Sequence, residues 1–390
     1  QKKLDRLNSG IQESLTNVRV VKSFVREDFE IGKFSGLNQD LRDSGMRALK
    51  IVIATMPVMM FAMNVTTLAV VWYGGNLIIG GSMPVGDLTA FTTYIVQILM
   101  SLMMVSFVFV MIMIAEASSD RIAEVLDEVP EMSDKPDAVK VVPNGAIDFE
   151  GVDFSYAGED GNLSLKDVNL HIKSGQIVGI IGGTGSGKTS LVNLIPRFYD
   201  ATDGRILVDG VDVRDYPAGQ LRSKIGIVPQ KAVLFAGTIA ENLRWGKEDA
   251  TDAELQVALE TSQAAEFVST REGGLNAEVA QGGKNLSGGQ RQRLTIARAR
   301  DPEILILDDS ASALDYATDA RLRKAIRAHD ANVTVFLVSQ RAASIQYADQ
   351  ILVLDDGALV GQGTHAELLE SCPVYQEIYY SQFPKEAQNA

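Results

Sequence analysis

The sequence predicts two fold classes in one chain, an all-α transmembrane helical domain followed by an α/β domain. Two uncharged stretches, residues 51–86 and 88–115, are each long enough to cross a membrane, which takes about 20 apolar residues. Further along the chain, short apolar strands alternate with amphipathic helices, a pattern typical of a sheet with a largely parallel core. The expected domains are a helical membrane domain over 1–125, a linker over 126–145 and an α/β domain over 146–385.

The first domain begins with a polar, helix-forming segment and continues with the two apolar stretches. We predict membrane helices at about residues 51–80 and 88–115, joined by a short turn outside the membrane. Arg47 and Lys50 precede the first helix, and basic residues favour the cytoplasmic side of a membrane. A pair of buried helices in a large soluble protein is the alternative. Because the first residue is Gln1 and two helices cannot enclose a pathway, we expect an N-terminally truncated sequence.

The α/β domain is organised around a phosphate-binding loop. An apolar run leads into the loop and a helical pattern follows it, which is the strand–loop–helix setting that such a loop requires. Glycines let backbone amides point at phosphate oxygens, the lysine reaches the β- and γ-phosphates, and the threonine can ligate Mg²⁺. A glycine-rich turn without function is the alternative. The predicted phosphate-binding residues are Gly182, Gly183, Thr184, Gly185, Ser186, Gly187, Lys188, Thr189 and Ser190.

A second motif predicts a metal-binding carboxylate. Residues 304–307 are a continuous apolar run that ends in Asp308, as expected of a buried strand with an acid at its carboxyl end. In a domain that also has a phosphate loop, such a strand places its acid beside the loop, where the acid can hold Mg²⁺ directly or through water. Thr189 and Asp308 are therefore predicted metal ligands.

Composition narrows the classes of partner. The net charge is −14, so the chain has no overall basic surface for a nucleic acid, and we expect none as a partner. The single cysteine, Cys372, cannot form an internal disulfide, and it lies in the half of the chain that we predict to be cytosolic.

A third motif gives the sequence a family resemblance. Residues 286–290 read Leu-Ser-Gly-Gly-Gln and precede an arginine-rich helical stretch. Backbone amides, the Ser287 hydroxyl and a helix N-terminus can form a second anion site. Together with the two earlier motifs, this stretch resembles the signature of the ATP-binding cassette (ABC) family, and the resemblance spans the whole chain. It implies that Ser287, Gly288, Gly289 and Gln290 cap an ATP that is held by a second nucleotide-binding domain.

The resemblance assigns roles to further residues. Tyr156 resembles the aromatic residue that stacks on adenine, although an ordinary strand aromatic is the alternative. Gln230 resembles the glutamine that approaches Mg²⁺ and the attacking water, and residues 312–315 resemble the loop that crosses to the opposite site. The first domain resembles exporter halves, which implies a coupling helix near residues 26–34 and makes the two apolar spans the fifth and sixth membrane helices.

Two catalytic positions depart from the family pattern. Asp309 stands where the family has a glutamate general base, and its shorter side chain can withdraw the carboxylate from the attacking water. Gln340 stands where the family has a switch histidine. Glutamine can donate a hydrogen bond to the γ-phosphate but carries no charge at neutral pH. The signature motif, which this chain would lend to a partner's site, is intact.

This combination resembles the degenerate half of heterodimeric bacterial ABC exporters. It implies an ATP-driven exporter half in the cell membrane, with a cytoplasmic nucleotide-binding domain whose own site hydrolyses ATP weakly. The expected ligands are ATP and Mg²⁺. The expected partners are a second half-transporter with the consensus Glu and His, the lipid bilayer, and a small-molecule, lipid or peptide cargo. A homodimeric exporter and a regulatory ATP-binding subunit that gates a pore are the alternatives.

Overall fold

The structure, a computed structural model, describes most of the chain and divides it into two compact units, Gln1–Val129 and Pro130–Ala390. Each unit has its own secondary structure and is treated separately below. The described residues are 2–129, 132–135, 142, 144–158, 161–298, 302–310, 316–329 and 332–383. The predicted loop at residues 312–315 lies outside them.

The first unit is helical throughout. Its helices are α1 (Lys2–Thr16), α2 (Val18–Ser23), α3 (Glu27–Ile79) and α4 (Val85–Leu126). The helix α3 runs back alongside α1. Two contacts join the helices: Ser14 donates a hydrogen bond to Glu30 at 2.7 Å, and Lys33 forms an ion pair with Glu13 at 2.8 Å. The two helices are therefore antiparallel, with the short α2 at their common end.

The coupling helix that the resemblance implied near residues 26–34 stays a prediction, and the structure has no separate helix over these residues. Residues 27–34 form the first turns of α3, and the short helix in this region is α2. The chain reverses just before α3, where Val25 has a φ of 51°. Three acidic residues follow in the first turn of α3, where negative charge stabilises the positive end of the helix dipole.

Two helical segments of the first unit are long and apolar enough to cross a membrane. They are Pro57–Ile79 in α3, which lies within the first uncharged stretch, and Val85–Phe109 in α4, which begins before the second stretch and includes Asp87. A turn at Gly80–Pro84 joins the helices, and Gly81 adopts a φ of 75° within it. Because α3 and α4 also contain polar turns beyond these segments, both helices extend outside the apolar region.

The second unit has alternating strands and helices, as the sequence predicts. Its strands are β1 (Ile147–Phe154), β2 (Leu165–Ile172), β3 (Ile177–Gly182), β4 (Asp203–Val208), β5 (Val211–Asp212), β6 (Ile225–Val228), β7 (Gly237–Thr238), β8 (Glu278–Val279), β9 (Ile304–Asp308), β10 (Thr334–Val338), β11 (Gln350–Asp355) and β12 (Ala358–Gly363). Its helices are α5 (Lys188–Leu194), α6 (Ala218–Ser223), α7 (Ile239–Arg244), α8 (Asp252–Thr261), α9 (Ala265–Ser269), α10 (Gly288–Arg298), α11 (Tyr316–His329), α12 (Ala342–Ile345), α13 (His365–Ser371) and α14 (Pro373–Gln382).

Ten of these strands form one sheet in the order β5-β4-β1-β2-β12-β11-β3-β10-β9-β6. The five strands from β11 to β6 are parallel, which confirms the predicted parallel core. The flank formed by β1, β2, β4 and β5 is antiparallel and was not predicted. In the parallel part, the carboxyl ends of β3, β9 and β10 meet at one edge, and in such sheets ligands bind at this edge.

One apolar core supports the sheet, and a separate one supports the helices around the signature motif. Leu191 and Leu194 of α5 are fully buried with Phe336 of β10, so the helix after the phosphate loop is held against the sheet. The helices α7, α8 and α10 bury their own cluster, which includes Ile239 and Leu294. The phosphate loop and the signature motif therefore each rest on a packed base.

Candidate nucleotide-binding site

The predicted phosphate loop lies between the carboxyl end of β3 and the start of α5. Its glycines are required by close backbone contacts. Gly187 has a φ of 96°, and a Cβ there would lie 2.6 Å from the carbonyl oxygen of Ser164. A Cβ at Gly182 would overlap the carbonyl oxygen of Leu354 on the neighbouring strand. The loop is therefore a tight turn that only glycine fits at these two positions.

The Lys188 side chain lies under this loop and is buried. Its ammonium group donates hydrogen bonds to the carbonyl oxygens of Gly182 at 2.9 Å and Gly183 at 2.6 Å. Burial lowers the pKa of Lys188, while the nearby carboxylates of Asp309 and Asp308 oppose that shift. The amino group of Lys188 thus lies within the loop, bonded to two of its carbonyl groups.

Thr189 and Asp308, the two residues predicted to be metal ligands, are in contact. The Thr189 hydroxyl lies 3.2 and 3.1 Å from the two carboxylate oxygens of Asp308. Burial raises the pKa of Asp308, and the charge of Asp309 raises it further, while the hydrogen bond from Thr189 lowers it. A divalent cation would relieve this crowding of negative charge. Among the described residues no group of three or more His, Cys, Asp or Glu could hold a metal ion by itself.

Asp309 follows Asp308 at the end of β9 and approaches Gln230. The amide nitrogen of Gln230 lies 3.4 Å from a carboxylate oxygen of Asp309, so two residues that are far apart in sequence meet at the site. Asp309 has a φ of 44°, and its backbone amide donates to the carbonyl oxygen of Val338 at 3.0 Å. Burial raises the pKa of Asp309, while the hydrogen bond from Gln230 lowers it.

Tyr156 lies beside the start of α5 and remains largely exposed. Its hydroxyl group is 3.0 Å from the Ser190 hydroxyl, which connects two residues of the predicted nucleotide site. The ring makes edge contacts with Phe154 and with Tyr199, at centroid distances of 4.7 and 5.1 Å. Sequence reasoning did not identify Tyr199. Its side chain packs on Tyr156 and helps to fix the orientation of that ring.

Gln340 lies in the segment between β10 and α12, and its side chain is exposed. The preceding residue, Ser339, is buried and donates its backbone amide to the carbonyl oxygen of Ile180 on β3. The carbonyl oxygen of Gln340 accepts a hydrogen bond of 2.8 Å from Gln382 on α14. Sequence reasoning did not identify Gln382 either, because the two residues are distant in the chain and no motif links them.

The signature residues begin α10 and form a separate group. The side chain of Gln290 accepts from the Ser287 amide at 3.0 Å, and the Ser287 hydroxyl accepts from the Gln290 amide at 3.3 Å. This reciprocal pair is a capping box. Arg291 donates to the carbonyl oxygens of Gly283 and Leu286, so it supports the loop before the helix. Among the described residues, no hydrogen bond joins this group to the phosphate loop.

The fold and these motifs define the second unit as an ABC-type ATPase domain, and the first unit supplies helices that can span a membrane. Comparisons with known proteins agree with this class. The family description "ABC transporter" matches residues 165–312, and "ABC transporter transmembrane region" matches residues 1–102. The chain belongs to the ABC transporter family, as an exporter-type chain with fused membrane and ATPase regions.

Several relatives match nearly the whole chain. An uncharacterized ABC transporter ATP-binding protein of Mycobacterium tuberculosis is 42% identical over 98% of this chain and 66% of its own length. YfiB of Bacillus subtilis is 40% identical over 99% of this chain and 67% of its own length. An ATP-dependent lipid A-core flippase of Desulfotalea psychrophila is 36% identical over 98% of this chain and 67% of its own length. The chain thus spans about two thirds of the length of these relatives.

A solved structure has the same fold. A bacterial Atm1-family ABC exporter with ATP bound matches with a TM-score of 0.88 and 31% identity, over 98% of this chain and 69% of the other. The match covers both units, so a membrane region followed by an ABC ATPase domain is the architecture of this chain.

Proposed function

We propose that the chain is one half of a heterodimeric ABC exporter that moves its cargo across the cell membrane at the expense of ATP. In this proposal Lys188 and the loop amides bind the phosphates, Tyr156 stacks on the adenine, and Thr189, Gln230 and Asp308 hold Mg²⁺. The bound Mg²⁺ would neutralise charge on the phosphate oxygens. The contact between Thr189 and Asp308, at 3.1 Å, supports this assignment because it joins the two motifs at the edge where a phosphate would lie.

The chain's own site is proposed to bind ATP and to hydrolyse it weakly. One observation supports this proposal: the binding groups lie together, while the positions of the general base and of the switch residue carry Asp309 and Gln340. Asp309 is one methylene shorter than glutamate and directs a carboxylate oxygen toward Gln230. Gln340 can donate a hydrogen bond but cannot supply a positive charge at neutral pH. Loss of general-base efficiency typically lowers a rate by about 10²–10⁴-fold.

The signature motif of this chain is proposed to complete the partner's site, where most turnover would occur. The capping box of Ser287 and Gln290 supports this role, because it holds the start of α10 in place before any nucleotide arrives. The Ser287 hydroxyl accepts one hydrogen bond in this pair and can still donate its own proton to a phosphate oxygen. The partner would be a second half-transporter with Glu and His at the two altered positions.

The cargo belongs to the proposal as well. One relative is described as a lipid A-core flippase, which supports a lipid or another amphipathic molecule as the cargo, although small molecules and peptides remain within the class. ATP-dependent accumulation of a labelled lipid in inside-out vesicles tests for pumping. A regulatory subunit that gates a pore would instead allow flow only down a gradient.

The division of labour between the two sites can be tested in the complete subunit assembled with its natural partner. Ser287→Arg should nearly abolish total ATPase activity, because a bulky side chain obstructs the signature contact at the partner's active site. Asp309→Asn should change total activity by less than about threefold, since a weak site contributes little turnover. Steady-state ATPase assays of the two variants provide the measurement.

The reverse outcome would overturn the assignment of strong and weak sites. If Asp309→Asn abolishes activity while Ser287→Arg is tolerated, this chain holds the strong site. In a homodimer both substitutions would be severe, because every site would contain both residues. Asp309→Glu combined with Gln340→His should raise single-turnover hydrolysis at the weak site, which checks that these two positions limit it.

A further inference from the structure

The last residue of α14 makes two hydrogen bonds to the segment that carries Gln340. The side-chain amide nitrogen of Gln382 donates to the carbonyl oxygen of Gln340 at 2.8 Å. Its side-chain oxygen accepts from the backbone amide of Ala342 at 2.9 Å. A single amide group thus bonds to the backbone on both sides of Arg341, and it fixes the separation and direction of those two peptide groups.

One of these bonds supplies an acceptor that the residue before α12 cannot provide. The helix α12 begins at Ala342, and the residue before it is Arg341. A guanidinium group has donors only, so Arg341 cannot accept a hydrogen bond from the first amides of the helix. Such amides need an acceptor. Gln382 provides one from a different helix, and its second bond extends to Gln340.

The other end of α12 is held by α11. Arg323 donates to the carbonyl oxygens of Ala343 and Ser344, at 3.3 and 2.9 Å. The Ser344 hydroxyl donates to the buried carboxylate of Asp319 at 3.1 Å. The carboxyl-terminal side of α12 is therefore fixed independently of α14, so a change at Gln382 acts mainly on the side that carries Gln340.

Buried aromatic residues hold α14 where Gln382 can reach this segment. Tyr375 is fully buried, and its hydroxyl lies 2.8 Å from a ring nitrogen of His365. Tyr379 packs on Phe383 with ring centroids 4.9 Å apart, on either side of Gln382 in the sequence. The helix is thus an anchored support and not a free tail, and its last turn lies against the start of α12.

We propose that Gln382 is a positioning residue for the nucleotide site: it holds the backbone of Gln340 so that the Gln340 side chain can reach the γ-phosphate. This inference rests on the proposed function, in which Gln340 contacts the γ-phosphate of bound ATP. Because ADP lacks that phosphate, loss of positioning should weaken binding of ATP more than binding of ADP. A purely structural role for Gln382 would weaken the binding of both nucleotides alike.

The test uses the complete subunit assembled with its partner and reports this chain's own site. Photolabelling with 8-azido-ATP attaches the probe to the subunit that binds the base, and the subunits separate on a gel. The concentrations of ATP and ADP that halve the labelling are then measured. Gln382→Met removes both hydrogen bonds and keeps a side chain of similar size. It should raise the ATP concentration that halves the labelling by about three- to tenfold, the range expected for a lost hydrogen bond. The ADP value should change by less than about twofold.

Gln376→Met is the matched control. Gln376 lies on the same helix, and its side chain also donates to a backbone carbonyl, that of Leu369, at 2.8 Å. That bond lies within the segment of α13 and α14 and does not touch the segment of Gln340. Gln376→Met should leave both concentrations unchanged. Should Gln382→Met fail to assemble, Gln382→Glu keeps the acceptor for Ala342, loses the donor to Gln340, and is judged by the same criterion.

A double variant shows whether Gln382 acts through Gln340. Gln340→Ala should itself raise the ATP value selectively, and adding Gln382→Met to it should cause no further loss. If Gln340→Ala is selective for ATP but Gln382→Met is not, or if their effects add, the positioning role is wrong and the proposed function stands. If Gln340→Ala shows no selectivity, the assignment of Gln340 in the proposed function is wrong, and the positioning role is overturned with it.

Discussion

The two helices that begin at nucleotide-binding motifs, α5 and α10, start in different ways. The helix α5 starts after Gly187 in a left-handed conformation, and within the described part of the chain no side chain caps it. The helix α10 starts after Ser287, which shares two reciprocal hydrogen bonds with Gln290. The sequences of both starts are rich in glycine and serine, but only one of them satisfies its own first amides through side chains.

This difference separates a site that a ligand completes from a site that is complete in advance. The first amides of a helix need acceptors. At α5 phosphate oxygens can serve as those acceptors, and binding then adds hydrogen bonds that the fold alone does not supply. At α10 the capping box already supplies acceptors for the amides of Ser287 and Gln290, so the helix start is held in place before it meets the partner's nucleotide in the proposed function. A mutation should therefore affect binding at α5 and partner-site turnover at α10.

The largest expected effect on binding comes from Tyr156, which is connected to the start of α5 through Ser190. Base–aromatic stacking contributes about 1–3 kcal/mol. Tyr156→Ala should therefore weaken ATP binding at this chain's site by about tenfold or more, while Tyr156→Trp should preserve it. Equilibrium binding of a fluorescent ATP analogue provides the measurement.

Tyr156→Phe is the informative control, because it removes only the hydroxyl that meets Ser190 and keeps the ring. We expect it to bind ATP within about threefold of the unsubstituted chain, on the scale of one net hydrogen bond. Unchanged affinity in Tyr156→Ala would remove this residue from the site. A loss in Tyr156→Phe as large as in Tyr156→Ala would show that the hydroxyl, and not stacking, carries the effect.

A smaller effect is expected at the start of α10, where the capping box can be broken without altering Ser287. Gln290→Ala removes one of the two reciprocal hydrogen bonds and should destabilise the domain by about 1 kcal/mol, the usual value of a helix cap. For a domain of this size the unfolding temperature should fall by about 2–4 °C. Differential scanning calorimetry of the assembled complex measures this change.

A second capping box, formed by Thr364 and Glu367 at the start of α13, gives the matched control. Glu367→Ala should lower the unfolding temperature by a similar amount and leave ATPase activity unchanged. Gln290→Ala should lower both the unfolding temperature and the ATPase activity. If the two variants behave alike in both assays, the box at α10 serves only stability, and the comparison of the two helix starts loses its functional meaning.

The sequence predicted those parts of the site that depend on local motifs. The phosphate loop, the apolar strand before Asp308 and the signature each need only a few consecutive residues, and all three occupy the expected elements. The capping boxes at Thr238 and Thr251 also follow a local rule, since a glutamate stands three residues later in each. Such features are predictable because their partners are close in the chain.

Other features depend on contacts between distant residues, which periodicity does not reveal. In the antiparallel flank, β1 pairs with β2 and with β4. Neither β1 nor β2 has a continuous apolar run. The contact of Gln382 with Gln340 joins the side chain of an exposed glutamine that belongs to no motif to a backbone carbonyl group far away in the chain. The break before α3 also has no clear sequence signal, because the positive φ that marks it falls on a valine, Val25.

The smallest expected effect concerns Asp308, the last residue of β9, which contacts Thr189 in the first turn of α5. Burial raises the pKa of Asp308 above its usual value, so the folded chain binds this proton more tightly than the unfolded chain does. Stability from this group therefore increases as the pH falls through the folded-state pKa, and it is absent above that pKa, where both states are ionised. Asp308→Asn removes the buried charge and should raise the unfolding temperature at pH 7 by about 2–4 °C.

The measurement is thermal unfolding between pH 7 and pH 4 in the presence of EDTA. The advantage of Asp308→Asn should shrink as the pH falls, because the carboxyl of the unsubstituted chain becomes neutral as well. Adding Mg²⁺ and ATP should reverse the order, since only the carboxylate offers a charged ligand, and ligand binding stabilises the folded state that binds it. A variant that is less stable at pH 7 in EDTA would mean that the hydrogen bond from Thr189 outweighs the burial of charge. In that case the α5 side of the site would be complete without a ligand, as the start of α10 is, and the contrast between the two would fail.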